Sequence, residues 1–456
     1  MRSLPRRRNP DSARSAALAV LEGVEFGGGS SNALLADIDV PGERDRHLAT
    51  TLVYGVLRHR RVLDRLIERT SRRPLSDIDP PTLVALRLAL FQILFLTRVP
   101  RSAAVNETVS LVRARRGRGA AAFANGVLRA AGRLLDGGFD PMAPPPAQVP
   151  DPALFLAEAY SFPPDLVSRY LKRFGREECE ALLDTFNRPA AVVLRAVRGC
   201  DSQDDLMRRL RDEGVEAVPS PVLAGAMRVV RGAPQRTRAF RDGLIYIQDE
   251  AAQMVALMLR PIDAACRVLD LCAAPGGKLL AAAETAPPDG MMVAADGSRS
   301  RLRLLEENSR RLRVGGILRL VTDAALPGLR GRFDRVLLDA PCSGTGVIRR
   351  HPEIRWRRGI ADISAAAAFQ AKALRAAAEL VSPSGRLVYS VCSLEPEEGR
   401  ERVDELLRER RDFEIADART ILPAALHRFV DAVGFLATLP QRDDVDGFFA
   451  AALRRT

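Results

Sequence analysis

Apolar residues recur at helical spacing through the first third of the chain. Leu18, Leu21 and Val24 follow a helix N-cap predicted at Asp11 or Ser12, and Gly27-Gly28-Gly29 breaks the run. Leu48, Leu52, Val56, Leu63 and Leu66 predict a helix over Arg46–Ile67. Leu83, Leu86, Leu90 and Leu94 predict the next, Val105, Val109 and Val112 a further one, and Phe123, Val127 and Leu128 the last. No strand pattern interrupts them, so residues 1–138 are expected to form an all-α bundle. The basic run Arg113–Arg118 is expected as a solvated loop between the last two helices.

The stretch 139–150, which contains PMAPPPAQVP, has the composition of a semi-rigid linker. Residues 151–240 predict a small α+β subdomain. It contains a helix running to Phe174, a helix at Glu177–Phe186, a strand at Val192–Val197 and a helix at Asp204–Glu213 ended by Gly214. A domain at 241–456 is expected to open with a strand at Gly243–Gln248 and a helix at Glu250–Leu259. Strand patterns at Arg267–Leu271, Met291–Ala295, Leu318–Thr322, Phe333–Leu338 and Arg386–Val391 then alternate with helical ones, and Gly447–Leu453 predicts a late strand. The helices are expected at Lys278–Glu284, Ser300–Leu312, Ile363–Leu380 and Glu397–Glu409. This alternation predicts a mostly parallel sheet with helices on both faces.

The residues just past each strand are polar. They are the loop Cys272-Ala273-Ala274-Pro275-Gly276-Gly277-Lys278, then Asp296, Asp323, Asp339 with Cys342, and finally Cys392. In such sheets ligands bind outside the carboxyl ends of the strands, so these groups should converge on one rim.

Composition narrows the partners. The chain has 47% hydrophobic and 28% charged residues, as soluble globular proteins do, and no stretch reaches membrane-span length. The apolar run Ala16–Leu21 is too short for a signal sequence. A net charge of +12 favours a polyanion, with nucleic acid preferred to a membrane. Cys179, Cys200, Cys266, Cys272, Cys342 and Cys392 contain no C-x-x-C pair, and the four histidines are scattered. No metal site or disulfide framework is expected, and a reduced, cytoplasmic protein is.

The rim chemistry can be narrowed further. The loop 272–278 lacks the first glycine of a P-loop, and Leu279 stands where a Ser or Thr would. It is also not a G-x-G-x-x-G fingerprint. An acid after the second strand suits a ribose hydroxyl. A ribose acid without phosphate machinery points to a nucleoside cofactor lacking pyrophosphate, which S-adenosyl-L-methionine fits. Two thiols at neighbouring strand ends suggest nucleophilic work. A thiolate adding to carbon 6 of a pyrimidine makes carbon 5 nucleophilic towards a methyl sulfonium. Asp339 is placed to contact the ring nitrogen and amino group of a cytosine. This chemistry alone does not say which thiol attacks.

The segments VLDLCAAPGGK, VLLDAPCSGTGVIRRHPEIRW and VYSVCSLEPEE resemble the motifs of the Nop/Sun family of RNA 5-methylcytosine methyltransferases. LVYGVLRHRRVLD, AAVNETVSLV and FANGVLR resemble the NusB-like RNA-binding domain. The resemblance spans nearly the whole chain. It implies an all-α NusB-like domain ahead of a Rossmann-like, α/β S-adenosylmethionine-dependent methyltransferase domain, with 151–240 on the substrate side. It also implies that Cys392 is the nucleophile and that Cys342 serves release of the methylated product. Asp339 would contact the base and border the cofactor. Cys272 to Lys278, Asp296 and Asp323 would bind S-adenosyl-L-methionine, with Lys278 pairing an acid such as Asp339.

Arg349, Arg350, Arg355 and Trp356 could stack on bases and bind phosphate, or could form a helix-packing loop; RNA contact is the expectation. Three positions depart from the family pattern: Val391 and Leu279 where Thr is usual, and Val197 where Asn is common. The domain combination implies methylation of carbon 5 of a cytosine in small-subunit (16S) ribosomal RNA, unassembled or partly assembled, by a monomer without metal. The alternatives are the same chemistry on tRNA and a non-catalytic RNA-binding assembly factor.

Overall fold

The computed structural model describes residues 12–40, 42–143, 151–197, 202–263, 265–287 and 290–456. The N-cap candidate Asp11, Cys200 and most of the expected linker lie outside the described residues. The chain divides into two compact units. One comprises residues up to Asn187 together with His351–Arg357, and the other Arg188–Arg350 with Arg358–Thr456.

The first unit is helical, as its apolar periodicity predicts. Its helices are Ala13–Gly27, Ser31–Asp37, Glu43–Ser71, Pro80–Phe95, Arg101–Asp136, Pro152–Tyr160, Pro164–Phe174 and Arg176–Asn187, with the short turn Ile354–Arg357. Ser12 caps the first, its side chain accepting from the Ser15 backbone N–H. Asp79 caps Pro80–Phe95, accepting from Thr82 N at 3.2 Å, and prolines occupy the first turn. That helix is buried from Val84 to Gln92, so it is apolar on nearly all sides, and the helices Ala13–Gly27, Glu43–Ser71 and Arg101–Asp136 pack around it. The loop expected at Arg113–Arg118 is a break at a single residue. Helix formers continue on both sides, and only Gly117, at φ 85°, leaves helical geometry. Arg115 pairs with Glu22 at 2.7 Å and Arg116 pairs with Asp79.

The second unit holds two sheets. A four-stranded antiparallel sheet has the order β2-β3-β1-β4, with β1 at Val192–Ala196, β2 at Glu216–Pro219, β3 at Ala226–Arg231 and β4 at Ile245–Ile247. The strand expected to open the 241–456 domain is therefore the edge of this smaller sheet. The larger sheet uses β5 (Arg267–Asp270), β6 (Met291–Asp296), β7 (Ile317–Val321), β8 (Phe333–Asp339), β9 (Val381–Val391), β10 (Phe413–Ala416), β11 (Leu436–Thr438) and β12 (Phe448–Arg455). Its order is β10-β12-β9-β8-β5-β6-β7, with β11 also on β12. The stretch from β9 to β7 is parallel, and β12 closes antiparallel on β9.

Successive residues of these strands face opposite cores. Val268 and Leu337 join the core that contains Met254, Val255 and Leu279. Leu269, Val336 and Leu338 join the core that contains Leu374, Ala377 and Val403. Burial on both faces explains the near-continuous apolar runs of β5 and β8. The chain runs outward from β5 to β6 and β7, then returns to place β8 on the other side of β5. The β5–β8 boundary is thus the switch point of the sheet, where an α/β fold opens a crevice.

Candidate active site

The rim is built by strand register. Asp339, the last residue of β8, is the lateral partner of Ser390 in β9. Ala340 N donates to Ser390 O at 2.9 Å, so the chain stays paired one residue further. Cys342 and Cys392 lie three and two residues beyond this pair, and their Sγ atoms come within 3.4 Å. The turn between them is tight. Gly346 N donates to Cys392 O at 3.1 Å, and Gly447 N donates to Gly346 O at 2.9 Å. A Cβ on Gly346 would sit 2.0 Å from the Gly447 carbonyl oxygen, so only glycine allows this approach.

Asp339 is held from two sides. Lys278 Nζ donates to Oδ2 at 2.6 Å and Ser390 Oγ to Oδ1 at 2.7 Å. Burial pulls the Lys278 ammonium down, but the Asp339 charge and hydrogen bond outweigh it and hold the pKa above its ordinary value. Lys278 sits at the start of the helix Gly277–Ala283, after the turn at Gly276 (φ 109°). The loop before it is pinned by its own backbone. Cys272 N donates to Asp270 Oδ1 at 3.1 Å, Ala273 N to Ala295 O at 2.9 Å, and Ala274 N to Asp296 Oδ2 at 3.3 Å.

A cleft of about 200 Å³ opens between these parts. The loop from Cys272 to Pro275 lines it, with Gly277, Lys278, Asp339 and Asp270, and Tyr246, Gln248 and Ala252 form another wall. A Cβ on Gly277 would come within 3.1–3.2 Å of Gln248 and Tyr246 and fill that space. The buried Gln248 Oε1 has no hydrogen-bond partner. A cradle kept open by glycine, an unsatisfied amide oxygen and several carboxyl groups suit a cationic, polar nucleoside.

The electrostatics are uneven. Burial, and next the Asp339 charge, push Asp270 up to about 8, so it carries its proton at neutral pH. Burial and the neighbouring acids, Asp270 first, push the Cys272 thiol far above its ordinary value. The hydrogen bond with Cys392, then burial, then the charges of Cys392, Glu398 and Asp339, raise the Cys342 thiol well above its ordinary value.

Not every expected residue reaches the cleft. Asp296 is 3% exposed. It receives Ser298 N on Oδ1 at 2.9 Å and Ala274 N on Oδ2, and Arg301 lies 3.5 Å away. It orders the glycine loop rather than lining the space. Asp323 is exposed and accepts from Ala325 N at 2.9 Å.

The residues expected to contact RNA make contacts within the protein. Arg355 is 1% exposed, donates to Asn187 Oδ1 at 2.7 Å and Phe186 O at 3.1 Å, and lies over the Phe162 ring. Trp356 Nε1 donates to Leu57 O at 2.6 Å. Arg350 bridges Asp249 and Asp446, both at 2.5 Å, and Arg349 pairs with Asp444 at 2.8 Å. These donors are engaged within the protein.

Asp270, Tyr246, Gln248 and Glu398 were absent from the sequence expectations. Asp270 stands two residues before Cys272 at the end of a strand, a signal the sequence carries. Tyr246 and Gln248 come from a different sheet, which periodicity does not place.

The family model described as 16S rRNA methyltransferase RsmB/F matches residues 256–454. The NusB family matches 11–133, and the RsmF/B-like ferredoxin-like domain matches 162–235. The chain is 33% identical over 451 residues to the probable ribosomal RNA small subunit methyltransferase B of Bacillus subtilis (strain 168), covering 97% of this chain and 99% of that one. The chain belongs to the RsmB/F methyltransferase family. The RsmB/F chain also superposes on the crystal structure of PH0851 with a TM-score of 0.83, at 25% identity and 99% coverage of both. NSun6 from Pyrococcus horikoshii, solved with SFG, shares the fold at a TM-score of 0.58 and 23% identity, over 64% of this chain and 98% of that one. The Nop/Sun and NusB resemblances of the sequence therefore hold. As an RsmB/F methyltransferase, the protein uses S-adenosyl-L-methionine as methyl donor.

Proposed function

We propose that this protein methylates carbon 5 of a cytosine in 16S ribosomal RNA through a covalent adduct on Cys392. The observation that supports it most is the meeting of two thiols, 3.4 Å apart, beside a carboxylate anchored by a lysine. The names of its relatives support the RNA class.

Asp339 lines the cleft with both oxygens oriented by Lys278 and Ser390, and accepts a hydrogen bond from the cytosine amino group. A proton shared between the Asp339 carboxyl and the ring nitrogen draws electrons from the ring and makes carbon 6 more electrophilic. Cys392 attacks carbon 6 as a thiolate, and the electron pair moves to carbon 5. S-adenosyl-L-methionine supplies the electrophilic methyl group, and the residues Cys272–Lys278, with Asp270, Tyr246 and Gln248, form its cradle. Cys342, once ionised, then takes the carbon 5 proton, and the electron pair it leaves re-forms the carbon 5–carbon 6 double bond as Cys392 departs as a thiolate. The base must be unstacked, because a stacked pyrimidine hides carbon 6.

The test is methyl transfer from labelled S-adenosyl-L-methionine to unmodified 16S RNA and unmodified tRNA. Wild type should label cytosine in 16S RNA. Cys392→Ala should lose more than about 1,000-fold of that rate. Cys342→Ala should trap RNA covalently. Label confined to tRNA would overturn the substrate, and no label with cofactor binding intact would favour an RNA-binding assembly role.

A further inference from the structure

Behind the two thiols stands a carboxylate that the chemistry above does not use. Glu398 is 0% exposed and lies outside the cleft lining. Its Oε1 accepts from Ser343 N at 2.7 Å and from Gln370 Nε2 at 3.2 Å. Its Oε2 accepts from Ser393 Oγ at 2.5 Å and from Ser343 Oγ. Ser343 directly follows Cys342, and Ser393 directly follows Cys392. The two serine hydroxyls are 3.2 Å apart, and Thr345 Oγ1 lies 3.2 Å from Ser393 Oγ. Gln370 also donates to Pro341 O at 2.9 Å, and Tyr389 OH donates to the Glu398 carbonyl at 2.5 Å.

One buried carboxyl group thus grips the residue after each cysteine. A buried acid is tolerated only when its oxygens are hydrogen-bonded, and here three of the four donors come from the two thiol loops. Those loops leave different strands, β8 and β9, and past the Ala340 N–Ser390 O bond the ladder between these strands no longer fixes their separation. Both thiols must reach adjacent atoms of one base, and an error near 1 Å costs about 100-fold in rate.

We propose that Glu398 is a positioning residue that sets the Cys342–Cys392 separation by clasping Ser343 and Ser393. The catalytic consequence rests on the covalent reading of the two cysteines; the geometric one does not.

The decisive experiment uses the full chain and dibromobimane, which fluoresces once it bridges two thiols, with the bridged pair mapped by mass spectrometry. Wild type should bridge Cys342 to Cys392. Glu398→Ala, and independently the Ser343→Ala/Ser393→Ala double variant, should bridge that pair at least about tenfold more slowly. S-adenosyl-L-methionine affinity should stay within about twofold, since the clasp lies outside the cleft lining. Glu398→Gln should recover most of the rate. Its amide oxygen can accept from Ser343 N, and its amide N–H groups can donate to the two hydroxyls. On RNA, the same variants should lose about 100-fold in kcat at unchanged KM for the cofactor. If Glu398→Ala does not fold, the serine pair decides. Unchanged bridging in the serine variant, or lost methylation with bridging intact, would overturn the proposal. Slowed bridging in a chain that labels no RNA would leave the clasp standing and count against the substrate reading instead.

Discussion

Lys278 and Asp270 make opposite demands on Asp339. The ammonium stabilises its charge, whereas an ionised Asp270 would oppose it. A hydrogen bond between charged groups contributes about 1.5–3 kcal/mol, so Lys278→Met should lower kcat/KM by about 10- to 100-fold. Steady-state methylation with saturating RNA measures this. The thiols, Asp339 and the glycine loop could be read from the sequence because each ends a strand with a strong apolar signature. Glu398 could not. EPEE resembles an ordinary charged helix start, and the expected helix began at Glu397. The helix begins instead at Arg400, after a turn in which Gly399 N donates to Glu395 O, and Glu398 turns inward.

At the scale of elements, long strands and amphipathic helices were legible, and short edge pieces were not. β2, β3, β10 and β11 are three to six residues long and mix polar with apolar positions, so they carry little period-two signal. β9 starts at Val381, five residues before the expected start, because Ser384 (φ 60°) and Gly385 interrupt the pattern without ending the strand. The element most sensitive to a single atom is the turn at Gly346. Gly346→Ala places a methyl group against backbone, which cannot rotate away. Thermal or denaturant unfolding should show a loss of about 2 kcal/mol or more, with methylation reduced further because the Cys392 carbonyl loses its donor.

At the scale of the whole molecule, the two units should respond oppositely to pH. In the helical unit, His59 stacks on Phe95 at 4.2 Å. Burial, followed by the charges of Arg355 and Arg58, pushes it down to about 4. Unfolded, it titrates near 6.5. The unfolded chain therefore binds more protons between these values, and stability is full above pH 6.5 and lost as pH falls towards 4. The loss should reach up to about 3 kcal/mol, and His59→Phe should remove it. Asp270 has the reverse sign. Its folded value is raised, so its contribution is full below the ordinary carboxylate range and is lost as pH rises towards 8. Asp270→Asn should flatten that decline. Hydrogen exchange across a pH series, read separately in residues 43–95 and 267–339, distinguishes the two.

The first unit is also discontinuous in sequence. Its final seven residues, His351–Arg357, are encoded after the 163 residues from Arg188 to Arg350. During synthesis, at about 5–20 residues per second, the helices up to Asn187 emerge roughly ten to thirty seconds before Arg355 and Trp356. Until then Phe162 lacks its guanidinium cover, and the carbonyls of Leu57 and Phe186 lack these donors. The nascent helical region is thus born with an open seat, and its last stabilising contacts arrive only once most of the following unit has left the ribosome.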